Sequence, residues 1–172
     1  MSIEFIGEIN MNFELSLLNS NLLLKQAVSE VLSCNDITEK YNLLLTTTQA
    51  AALVETRVTA LKDNGRIEFG AGVIEKIILA FCDSPYISMH NYEETIHELL
   101  EIFYYYKNET NDLMSDDELI KFMKISYDSI CQGSLELLSG RELNNLARTL
   151  RYAYKEKFTE DKTDLDEEDS LE

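Results

Sequence analysis

Apolar residues recur every three or four positions along most of the chain, which is the period of an amphipathic helix. Leu17, Leu24, Val28 and Val31 set a first helix over about 14–33. In "TTTQAAALVETRVTALKDNG", Ala50, Val54, Val58 and Leu61 form the next stripe, Thr46 and Gln49 have capping-box spacing, and Gly65 is a natural left-handed stop. Ile74, Ile77, Ile78 and Phe81 mark a third helix over about 72–82, ended by Ser84-Pro85. Asn91 and Glu94 open a fourth over about 92–108, where Tyr92, Ile96, Leu99, Phe103 and Tyr106 are widened by Leu100, Ile102 and Tyr105. So broad a stripe predicts a central helix.

Ser115 and Glu118 cap a fifth helix over about 116–131, stopping at Gly133, with Leu119, Phe122, Met123, Tyr127 and Ile130 inward. Ser139 and Glu142 read as the cap of a sixth over about 140–157, with Leu143, Leu146, Leu150 and Tyr154 inward. Asp36 and Glu39 add a short capped turn, and "IEFIGEI" near the N-terminus is a weak strand candidate. These elements predict an all-α protein: a single helical bundle of about six helices.

Composition supports this reading. One proline, six glycines and no tryptophan in 172 residues disfavour a turn-rich β-sandwich. The net charge is −17, of which −7 belongs to the last fourteen residues, "TEDKTDLDEEDSLE". That segment cannot bury enough apolar surface to offset its ordering entropy, so a helical domain over 1–158 and a disordered acidic tail over 159–172 are expected. The field of the whole chain repels phosphate backbones and anionic lipid, which argues against nucleic-acid and membrane partners. No apolar run approaches the roughly 20 residues of a membrane span, and the N-terminus carries glutamates where a signal peptide needs apolar residues. Three widely spaced cysteines, Cys34, Cys82 and Cys131, form no disulfide framework, and a reducing cytoplasm is the expected location.

Three of the six glycines fall within "NGRIEFGAG", residues 64–72. A phosphate cradle would use Gly70 and Gly72 at a helix N-terminus, but the Gly-Lys-Ser/Thr of a P-loop is missing and a helix, not a strand, precedes the loop. "DNGRIEFGAGVIEKI" also resembles an EF-hand loop, and "FYYYKNETNDLMSDDELIKFM" a second, with Ile67 and Met114 placed for a short β-contact between them. The ligand set is wrong: Ala60, Lys62 and Ala71 fall at liganding positions of the first, and Lys107 at position 1 of the second. A degenerate, metal-free EF-hand-like helix-loop-helix pair is therefore one expectation. The plainer one is a connection in which Ile67 and Phe69 alternate with Arg66 and Glu68, one pair inward and the other in water.

"GRIEFGAG", "FCDSPYIS" and "FYYYKNET" together resemble an uncharacterised family of small bacterial proteins, mainly from Gram-positive anaerobes, described only as a domain of unknown function. The resemblance covers most of 40–145. It implies a bacterial, cytoplasmic protein and brings no catalytic residue, cofactor or substrate.

The remaining chemistry is sparse. Glu94-Thr-Ile-His97 is a single Glu-x-x-His unit, where a di-iron bundle needs two. His90 and His97 with a carboxylate are a conceivable zinc set, and Cys82 with His90 a conceivable nucleophile and base. Tyr104-Tyr105-Tyr106 covers most of a helical turn, so at least one ring lies outside a common core or against a partner. With Tyr86 and Tyr92, Tyr104 and Tyr105 form the predicted interaction surface, because tyrosine is enriched at interface hot spots. Arg141, Arg148, Arg151, Lys155 and Lys157 form a basic cluster onto which the acidic tail, or a partner's acidic segment, could close.

These features predict a non-enzymatic protein-protein interaction module that binds another protein or itself, with no catalytic residue, metal or cofactor. A small-ligand binder or enzyme with a pocket near Arg66, Glu68, Cys82, His90 and His97 is the alternative, and an EF-hand-like regulatory protein without calcium is a third.

Overall fold

The computed structural model describes residues 20–168, with side chains through 157. The "IEFIGEI" segment and Leu17 lie outside the described residues. Helix α1 covers 20–33, followed by the single turn α2 (Asn35–Thr38) and a 3-10 turn (Glu39–Tyr41). Four helices come next: α3 (Thr47–Asp63), α4 (Val73–Phe81), α5 (Tyr92–Glu109) and α6 (Asp116–Asp128). The short α7 (Leu135–Leu137) runs through a π-helical stretch (Leu138–Leu143) into α8 (Asn144–Glu168). The architecture is an all-α bundle of six long helices, and no strand occurs among the described residues.

Helix α5 is central. Its buried positions Tyr92, Ile96, Leu99, Leu100, Phe103, Tyr104 and Tyr106 occupy more than one face, and it packs against α3, α4, α6 and α8. The α4 stripe is inward as its period predicts, with Ile74, Ile77, Ile78 and Phe81 fully buried. In α6, Leu119, Met123 and Tyr127 are buried and Phe122 partly so, but Ile130 is exposed because the helix ends at Asp128.

Two predicted caps form in full. Thr46 with Gln49, and Ser115 with Glu118, make reciprocal capping boxes. Three do not. Asn91 starts α5 without a side-chain cap, because its amide is spent on the loop before it, accepting from Ser88 N and donating to the Tyr86 carbonyl. Asp36 caps nothing, since α2 follows α1 after Cys34 alone. Ser139 lies inside the π stretch, where its hydroxyl donates to the Leu135 carbonyl, and Ser134 caps the preceding turn instead. Helical backbone in α8 continues ten residues past the expected boundary at 158. Neither glycine nor proline follows Gly140, so the sequence supplies no helix breaker there. The remainder of the expected tail, 169–172, lies outside the described residues.

Helices α3 and α5 end in the same way. Gly65, at φ +64, closes a Schellman motif: Arg66 N donates to the Leu61 carbonyl and Gly65 N to that of Lys62. Asn111, at φ +50, does the same for α5, with Asp112 N donating to Lys107 and Asn111 N to Asn108. The two helix-loop-helix units, α3–α4 and α5–α6, therefore leave their first helices at equivalent points.

Candidate functional site

Arg66 and Asp112, each the first residue beyond its Schellman glycine or asparagine, face one another. Arg66 holds both carboxylate oxygens, Nη2 to Oδ1 at 2.6 Å and Nη1 to Oδ2 at 3.2 Å, and Nη1 also donates to Asn108 Oδ1 at 2.8 Å. Asn108 returns a bond to the Asn64 carbonyl at 3.0 Å. Bidentate guanidinium-carboxylate geometry is the strong form of this pair. Its hydrogen bonds hold Asp112 below the usual carboxylate range and raise Arg66.

Two residues further along, the partly buried Glu68 joins the buried Tyr104 and Arg57. Tyr104 donates its hydroxyl to Glu68 Oε2 at 2.8 Å and accepts from Arg57 Nε at 3.1 Å, while Arg57 Nη2 lies 3.4 Å from the same Glu68 oxygen. Arg57 and Tyr104 are both buried. Burial is the main force raising the Tyr104 phenol, and the Arg57 charge opposes it, so the ring stays a neutral donor. At the loop's far end, Ala71 N donates to Glu30 Oε2 of α1 at 3.1 Å. A carboxylate thus holds the backbone N–H that a phosphate cradle would have offered to a ligand.

The consequence is an inverted loop. Arg66 and Glu68 point inward to partners, and Ile67 and Phe69 stand 86% and 84% exposed. The alternation is the one the sequence predicts, with the polar pair inside. Phe69 lines a groove of about 320 Å³ whose walls combine Leu23, Leu24, Val54 and Val58 with the charged Arg57 and Glu68. Val58, expected in the core, is exposed, and Arg57 takes the buried position beside it.

The EF-hand-like pairing predicts a β-contact between the two loops. The two loops touch, but through Arg66–Asp112 and Asn64–Asn108, and the exposed Ile67 makes no β-contact with Met114. In the second loop the buried Lys107 ammonium donates to the Met114 carbonyl and lies 2.9 Å from Asp116 and 3.8 Å from Asp112. The cation that this loop holds is its own lysine.

The predicted tyrosine surface is divided. Tyr92 and Tyr104 are core residues, not surface, because the broad α5 stripe turns both toward neighbouring helices. The Tyr92 hydroxyl is buried, and burial raises it to about 12. Tyr105 is exposed at 53% with its ring edge-on to Tyr106, whose hydroxyl donates to the Ser139 carbonyl. Tyr86 is partly exposed and lies against Gly133 and Tyr127.

The five residues of the predicted pocket do not converge either. Arg66 and Glu68 share one groove, which Cys82, His90 and His97 do not line. His97 sits between α3 and α5, its Nδ1 2.7 Å from Thr56 Oγ1 and its Nε2 3.7 Å from Glu93. It lies eleven residues before Asn108 on α5, about 16 Å along the axis. His90 is exposed in the loop before α5. Cys82 is buried at the end of α4, and burial raises its thiol, as it does those of Cys131 and of Cys34, which reaches about 11. A raised thiol is a poor nucleophile. Among the described residues no group of three or more His, Cys, Asp and Glu side chains is arranged to hold a metal ion, and no helix is long and apolar enough to cross a membrane.

Sequence reasoning misses Arg57 and Glu30 in this site. Arg57 is a charged residue inside an apolar stripe, one position before Val58, and Glu30 lies on the first helix, far from the loop in sequence.

No curated protein and no solved structure matches the chain. The profile of one family matches residues 30–156, which include the loop, the bracket beneath it and the bundle as far as the exposed part of α8. The chain belongs to the family of unknown function DUF6323.

Proposed function

We propose that this protein is a non-enzymatic interaction module of the bacterial cytoplasm, and that the 64–72 loop is its docking face for another protein. One observation carries the reading: a polar bracket, buried at Arg57 and Tyr104, holds two large apolar side chains out in water. A connection needing only to join α3 to α4 would gain about 1.5–3 kcal/mol for each such residue it buried. Here the loop forgoes that gain, and Arg57, Tyr104, Asp112 and Glu30 fix it in the opposite sense. Two projecting side chains beside a groove suit a partner surface that offers a complementary cleft, and pre-ordering the loop reduces the entropy lost on binding. Three free, buried cysteines are compatible with a reducing compartment.

The test is a photo-crosslinking amino acid placed at position 67 or 69 of the full chain in its host, with position 101 as an exposed control. One dominant adduct of defined mass at 67 and 69, lacking at 101, is expected. Equal adducts at all three positions would overturn the reading. So would a crosslink from 69 into residues 1–19 of the same chain, whose neighbour Ser20 lines the same groove.

A further inference from the structure

Three hollows meet along one side of α3. The first, about 560 Å³, lies between α1, at Leu24 and Val28, and α3, at Thr47 and Ala51. The groove that Phe69 lines shares Leu24 with it. A third hollow, about 530 Å³ and beside Ile67, shares Arg57, Val58 and Glu68 with that groove. Thr47, Ala51, Val54, Val58 and Leu61 follow one another at intervals of four, three, four and three, so they form one face of the helix. The hollows are thus one trough along the 17 residues of α3, about 25 Å long, with α1 as a wall and the 66–69 loop near its far end.

The trough leaves Leu23, Leu24 and Val58 exposed, and its charge is opposite to that of the chain. Its lining carries four basic side chains, Lys25, Arg57, Lys62 and Arg66, and one acidic, Glu68, on a protein of net charge −17. Arg57 and Arg66 are matched by Glu68 and Asp112. The surplus positive charge therefore lies at Lys25 on α1 and Lys62 in the last turn of α3, both exposed.

The backbone of both helical walls is bonded within its own helices, so an extended peptide laid between them would find no main-chain partners there. A helix brings its own, and an apolar stripe at three-four spacing matches the trough. We propose that the docking partner enters this trough as an acidic amphipathic helix, with its apolar stripe on Leu24, Val54 and Val58 and its carboxylates toward Lys25 and Lys62. Opposite charge then selects an acidic segment and steers its approach, although the rest of the chain repels acids. This inference rests on the docking reading and adds the partner's chemistry.

Photo-crosslinking amino acids at positions 51 and 58 of the full chain in its host test it. Both positions are exposed, and they lie about 10 Å apart along α3. They should capture one protein, at sites about two helical turns apart in a single segment. That segment should show apolar residues every three or four positions, and its acids should outnumber its bases. Made as a synthetic peptide, it should bind the full chain, less tightly at high salt, and at least about tenfold less tightly to Lys25→Glu with Lys62→Glu. Lys25→Gln with Lys62→Gln should show a smaller loss, and circular dichroism melts that match the parent exclude misfolding. A basic or non-periodic segment, unrelated capture sites from 51 and 58, or an affinity that both variants leave unchanged overturns the proposal. So do adducts from 51 or 58 into residues 1–19 of the same chain. Adducts at 67 and 69 with none at 51 or 58 overturn it and leave the docking reading standing, whereas no adduct at any of the four overturns both.

Discussion

At the scale of residues, the structure turns on a few charged and phenolic groups placed where apolar side chains are expected. Arg57 and Val58 are neighbours on α3, and a three-four period alone places Val58 inward. Arg57 is inside because Tyr104 and Glu68 take its donors, and both come from other elements. Tyr104→Phe leaves Arg57 and Glu68 each short of a partner. It should lower stability by about 1–2 kcal/mol, read as a shift of the urea midpoint at unchanged slope. Asp112 gives a pH signature. Its folded pKa lies below its unfolded one, so its contribution is complete above the ordinary aspartate value and is lost as pH falls through the depressed one. The stability gap between parent and Asp112→Asn should therefore be constant above about pH 5 and close as pH falls below about 4. Melting curves across that range check it; a gap that widens in acid contradicts the assignment.

At the scale of elements, glycine positions separate two kinds of constraint. Gly65 and Gly133 both have positive φ, but a Cβ at Gly65 would meet open space, whereas one at Gly133 would lie 2.6 Å from the Tyr86 side chain. Gly65→Ala should cost about 1–2 kcal/mol, the conformational term alone. Gly133→Ala should cost more, and Tyr86→Gly in the same chain, which removes the clashing Cβ as well as the ring, should recover the steric excess; the double-mutant cycle measures that coupling. Helix positions are largely legible in the sequence, because the α4 and α5 stripes and the Thr46 and Ser115 capping boxes are local signals. The π stretch is not. Ser139 and Glu142 have the spacing of a cap, and the interactions that place Ser139 inside a helix come from Leu135 and from Tyr106, the latter on another element. The 66–69 alternation is equally local, but which pair faces inward is decided by Arg57, Tyr104 and Asp112. The candidate site is legible as a place and not as an arrangement.

At the scale of the whole molecule, the bundle presents one surface that its own packing does not explain: the inverted 64–72 loop beside the groove that Phe69 lines. The side chains best suited to chemistry, Cys82, His90 and His97, lie at the end of α4, in the loop before α5 and at the α3–α5 contact. The account depends most on the loop being inside out. Equilibrium urea unfolding of the Ile67→Ser, Phe69→Ser double variant tests this directly. Exposed side chains carry little folding energy, so the predicted change is within about 0.5 kcal/mol of the parent. A loss of about 3 kcal/mol or more, the expense of removing two buried apolar side chains, would place Ile67 and Phe69 in the core and contradict the account.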